Sequence, residues 1–139
     1  MKQTQAFLST YTADVSGVCS ALFELGGMTV MHDASGCNST YNTHDEPRWY
    51  DMDSLVYISG LSELEAVMGD DEKLISDVSD AARQLHPRFI ALAGTPIPMI
   101  TGCDLPAIAR EVEGRTKIPS FAVPSNGIGT YVAGAGQAL

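Results

Sequence analysis

The chain is poor in cysteine, in positive charge and in long apolar runs, and each shortage closes off a class of function. Its 139 residues hold three cysteines, Cys19, Cys37 and Cys103. An odd count at wide spacing with no C-x-x-C pair disfavours a disulfide framework, a zinc ribbon and a thioredoxin-type site alike. Lys and Arg total 8 against 17 Asp and Glu, a formal net charge of −9. Nucleic acid is not an expected partner, because phosphate binding needs clustered cations. The best apolar stretch, Phe89 to Ile100, is broken by Gly94, Pro96 and Pro98, so no membrane-spanning segment is expected. The residues from Met1 lead into no signal-type apolar core, and the expected location is the cytoplasm.

What is present suits one folded domain over residues 1–139, with 45% hydrophobic and 18% charged residues. Nine of the acids fall between Asp45 and Glu72. They read as a solvated face or, more sharply, as a docking face for a basic partner. Val15, Val18, Cys19 and Leu22 mark one face of a helix capped by Thr12 or Asp14 and closed by Gly26-Gly27. Cys19 lies on that apolar face as a buried, inert thiol. Met28 to Met31 and Leu55 to Ile58 are short β-type runs. Ser62-Glu-Leu-Glu65 matches a capping box for a short helix ending near Gly69. Leu74, Ile75, Val78, Ala81, Ala82 and Leu85 form the clearest helical stripe, with Asp70, Asp71 and Glu72 at its favourable end. A buried strand over 88–93, a helix from Thr101 or Asp104, a core strand at 121–123 and a last helix from about Ile128 complete the series.

Strands alternating with helices predict an α/β fold, a Rossmann-like three-layer αβα domain with a mainly parallel sheet. Three strand-end loops then gather on one edge: 33–39, 94–100 and 124–129. That edge is where open α/β sheets bind ligands. Cys37, on the first of these loops, is the leading functional candidate. His44-Asp45-Glu46 reads as a solvated loop rather than a metal site. Gly127-Ile-Gly129 and Gly134-Ala-Gly136 do not complete a G-x-G-x-x-G, and no phosphate-loop lysine occurs, so a nucleotide-binding reading is the weaker class.

The succession of motifs resembles the first domain of the nitrogenase component 1 family, which includes the molybdenum–iron protein subunits, their cofactor-assembly scaffolds and dark-operative protochlorophyllide reductase. Ser16-Gly-Val-Cys-Ser-Ala-Leu22 followed by His32-Asp-Ala-Ser-Gly-Cys37 is similar to the family's first helix and its H-G-x-x-G-C loop. Leu61 to Gly69 resembles the x-T-E-x-x-x-V-F-G-G segment. Thr95-Pro96 through Gly102-Cys-Asp-Leu105 and then Pro119 to Gly134 resemble the later loops, in order.

The resemblance implies an iron–sulfur cluster held by soft anionic thiolates where two like subunits meet. It implies Cys37 as metal ligand, with Asp33, Gly36, Thr95 and Asn126 as cofactor-binding neighbours. The family's other cysteine positions fall at Tyr11 or Thr12 and at Thr95, none a thiol. Its serine near the last loop falls at Asn126. A [4Fe–4S] cluster would then rest on two copies of Cys37 plus other ligands. The implied partners are a like subunit and an ATP-dependent iron–sulfur reductase. Family members have three such domains, so the chain is expected to be a fragment or a remnant of a longer oxidoreductase. The alternative is a non-enzymatic docking or scaffold module of the same fold.

Overall fold

The computed structural model describes residues 13–34, 36, 38, 41 and 47–139. Four short strands, β1 (Met28–Met31), β2 (Val56–Ile58), β3 (Ile90–Ala93) and β4 (Ser120–Val123), make one sheet in the order β2-β1-β3-β4. Every pairing is parallel, with Val30 opposite both Tyr57 and Leu92, and Leu92 opposite Ala122. Parallel neighbours need crossovers, and helices supply them. The α/β layering expected of the sequence is what forms.

The two sheet faces carry different side chains, following the period of two along each strand. Met28, Val30, Ile90 and Leu92 face α3 (Asp71–Leu85) and α5 (Leu105–Thr116), whose Leu74, Ile75, Val78, Ile108, Ala109 and Val112 complete that core. Met31, Ala91, Ala93 and Val123 pack with Val15, Val18, Cys19 and Leu22 of α1 (Asp14–Leu22) in the second core. The alanines on this side leave room for α1. The last helix, α6 (Tyr131–Ala138), lies against α1, and glycine makes the approach possible. A Cβ on Gly134 would sit 1.9 Å from the Asp14 carbonyl oxygen, and one on Gly17 would sit 2.0 Å from that of Tyr131. The remaining elements are α2 (Glu63–Met68), α4 (Pro96–Thr101) and a 3-10 turn at Pro47–Tyr50.

The structure corrects several local expectations. The N-cap of α1 is Ala13, and Asp14 is its first helical residue; Thr12 lies outside the described residues. The expected strand-end loop 94–100 is largely helical: Pro96–Thr101 form α4, whose Pro96 occupies the first turn, where a missing N–H costs nothing. α6 begins at Tyr131 rather than near Ile128. The Asn126 side-chain oxygen accepts hydrogen bonds from the N–H groups of Ile128 and Gly129, holding a turn there, and the Thr130 hydroxyl then caps the helix. β4 is an edge strand on which Phe121 is 38% exposed, stacked on Phe89 instead of buried in the core.

Candidate functional site

The sheet order reverses between β1 and β3, so the crevice of this fold opens beyond their C-terminal ends. Beyond β1 the backbone N–H of His32 donates to the Ala93 carbonyl, 3.1 Å away. The buried Thr95 hydroxyl donates to the His32 carbonyl at 2.7 Å. Ser59, just past β2, joins the same junction: its hydroxyl accepts from the Asp33 N–H at 3.1 Å and lies 2.8 Å from His32 Nδ1. The Asp33 carboxylate is turned inward onto its own loop. One oxygen accepts from the Ala34 N–H at 2.8 Å and the other from Asn38 Nδ2 at 2.6 Å. Gly36 is exposed, and a Cβ there would meet nothing within 4 Å. Cys37 lies outside the described residues, as do Tyr11 and Thr12.

The third loop is locked to the second and to α1. The Ser125 hydroxyl donates to the Gly94 carbonyl at 2.8 Å. Gly127 has a φ of 76° and touches Pro96 so closely that a Cβ would meet its ring at 2.6 Å. The buried Asp14 carboxylate accepts from the backbone N–H groups of Asn126 at 3.0 Å, Gly127 at 2.7 Å and Val15 at 2.8 Å. Between these loops and the start of α5 lies a cleft of about 300 Å³, walled by Pro98, Met99, Leu105 and Pro124. Its polar members Thr95, Ser125 and Asn126 are committed to the internal bonds just described.

The order of elements and loops can now be set against proteins of known kind. Residues 14–139 match the family model of nitrogenase component 1 type oxidoreductases. The chain belongs to that family. Two solved structures described as "Nitrogenase Cp1", one at pH 6.5 and one at pH 5, superpose on it with a TM-score of 0.74 and 18% sequence identity. Each match covers 99% of this chain but only 29% and 30% of the respective solved chains. At that identity the likeness shows the fold. No curated protein matches.

Within this nitrogenase component 1-type domain the other two thiols are poor ligands. Cys19 is fully buried on α1, and burial pushes its thiol up to about 12. Cys103 is half-buried with its Sγ 3.8 Å from Asp71 Oδ1; burial, then the Asp71 charge, push it up to about 11. Neither is poised to ionise near neutrality. Among the described residues no group of three His, Cys, Asp or Glu side chains is placed to hold a metal ion. Thr95 and Asn126 meet the candidate edge but direct their side-chain oxygens to the protein itself.

The helix starts near this edge are likewise filled. Asp14 occupies that of α1, the Asp104 carboxylate accepts from Ala107 N–H at 3.0 Å at α5, and Thr130 caps α6. Phosphates bind where such N–H groups are open. The nucleotide reading therefore finds no support in these three helix starts. Asp14, Ser59 and Ser125 are the supporting residues that sequence reasoning missed. Each acts on a residue far away along the chain, so no local pattern announces it.

Proposed function

We propose that the chain is the first domain of a longer nitrogenase component 1-like oxidoreductase, whose strand-end edge contributes to an inter-subunit iron–sulfur site for electron transfer. The family match over 14–139 supports the class of protein. The observation that carries the site is the latching of all three strand-end loops at one edge, through Thr95 to His32, Ser125 to Gly94, and Asp14 to Asn126 and Gly127. Rigid loops at that edge are what a fixed inter-subunit centre requires. On this reading Cys37 is the metal ligand, and Asp33, Gly36, Thr95 and Asn126 shape its surroundings.

The described residues do not fit a complete cluster. They offer no second ionisable thiolate at the edge, and the Thr95 and Asn126 side chains are engaged elsewhere. A cluster here would rest on Cys37 of this chain and its copy in a like subunit, plus other ligands. An ATP-dependent iron–sulfur reductase is the proposed electron donor, and the cytoplasm the proposed compartment. The same shortage of ligands favours a second reading, a docking or scaffold module that keeps the fold without the chemistry.

Anaerobic reconstitution with iron and sulfide separates the two. The oxidoreductase reading expects bound iron and acid-labile sulfide in equal amounts, both lost in Cys37→Ser. Iron at background, or iron indifferent to that substitution, leaves the scaffold reading.

A further inference from the structure

The cleft of about 300 Å³ at the start of α5 opens into the core between the sheet and α3 and α5: Leu105 belongs to that core, and Cys103 and Ala122 pack against it. The gap has a local cause. At this point β4 brings only the Ala122 methyl beside Leu92, and Pro98, Pro106 and Pro124 stand around it. Proline rings hold their backbone at one φ, so these walls do not fold inward to fill the space. The loops behind them are braced as well, Ser125 to Gly94 and Gly127 against the Pro96 ring. The space is therefore formed before any ligand arrives, and binding there costs little reordering.

The chemistry of the walls decides what fits. In a chain of net charge −9, none of the residues lining the cleft is charged. Their polar groups are spent on the protein: the Thr95 and Ser125 hydroxyls donate to carbonyls, and the Asn126 oxygen accepts from two N–H groups. The backbone is spent in the same way. The Pro98 carbonyl accepts from the Cys103 N–H at 3.0 Å and the Val123 carbonyl from the Ser125 N–H at 2.8 Å. The three prolines have no N–H to offer. An ion entering here gives up its water and gains no partner, whereas an apolar molecule loses nothing. Met99 and Cys103 bring sulfur to the lining, and sulfur makes favourable contacts with aromatic ring edges.

We propose that this cleft binds a small uncharged aromatic molecule of one or two fused rings. The lack of charge follows from walls with no free polar partner, and the aromatic character from the two sulfur-bearing side chains. The size follows from the volume, which lies at the lower end of the roughly 300–1,000 Å³ of small-molecule sites. The inference stands apart from the cluster reading. Neither Asp33 nor Gly36 lines the cleft, and Thr95 and Asn126 keep the bonds they already make.

Titration of the 139-residue chain, methyl-labelled at Leu and Met, with naphthalene and NMR detection tests it. The expected result is a saturable shift at the Leu105 methyls, with Met52, which does not line the cleft, unmoved. Ala122→Leu, which fills the space, should weaken binding at least tenfold. Met99→Ala should weaken it about threefold through the lost sulfur contact. Met99 is 48% exposed, so this variant keeps the fold even where Ala122→Leu does not. 2-Naphthoate, the same rings with a charge, should bind at least tenfold more weakly than naphthalene. Decalin, the saturated skeleton, should also bind more weakly. Absence of a saturable shift at Leu105, equal affinity for 2-naphthoate or decalin, or unchanged affinity in Met99→Ala or in folded Ala122→Leu overturns the assignment.

Discussion

A single buried carboxylate, that of Asp14, joins the first turn of α1 to a loop more than a hundred residues later. Removing it leaves the N–H groups of Asn126 and Gly127 without acceptors in a half-buried setting. Asp14→Ala should cost about 2–4 kcal/mol in urea unfolding, with Asp14→Asn costing less because one acceptor oxygen remains. His32 gives a second residue-scale expectation. Burial holds its pKa below the ordinary 6.5, against the pull of Asp71, Asp33 and Glu65. The unfolded chain then binds the proton more readily than the folded one. Stability is fully present above pH 6.5, falls as the pH drops toward the lower folded value, and levels off beneath it. Denaturant midpoints measured from pH 7 to 5 should show this slope, and His32→Gln should flatten it. Much at this scale was hidden in the sequence. Cys19 was legible as a buried thiol because it sits on a periodic helix face. The roles of Asp14, Ser59 and Ser125 were not, because each depends on a partner brought close only by the fold.

At the scale of elements, legibility followed the strength of local chemistry. The stripe of α3 and the capping box of α2, in which Ser62 and Glu65 exchange hydrogen bonds, appeared where the sequence placed them. α4 was missed because six residues with two prolines carry no period to read. The start of α6 was misplaced because the Asn126 side chain diverts the backbone into a turn first. The paired glycines of α6 differ in their surroundings. Gly134 is pressed against Asp14, whereas a Cβ on Gly136 would meet nothing within 4 Å. Gly134→Ala should therefore part α1 from α6 and cost roughly 2–4 kcal/mol by overpacking against rigid backbone. Gly136→Ala should instead stabilise by up to about 1 kcal/mol through helix propensity. Thermal unfolding of the two variants side by side checks the sign of each effect.

On the scale of the whole molecule, a four-stranded parallel sheet presents its loop edge as one braced surface, and the chain spans under a third of the solved proteins it superposes on. The layer order was legible because a parallel sheet demands alternating strands and helices. The shared edge was legible for the same reason. What no pattern conveyed was how fully the edge residues are spent on holding one another. That leaves Cys37, outside the described residues, as the proposed metal ligand. On the proposed function, two chains share a cluster through it. Native mass spectrometry of the anaerobically reconstituted protein tests this most directly, since it reads chain number and metal content together. A pair of chains carrying one four-iron, four-sulfide cluster, with both cluster and pairing lost in Cys37→Ser, is the predicted result. A metal-free monomer, or a pair whose mass is unchanged by Cys37→Ser apart from the substitution itself, would contradict it.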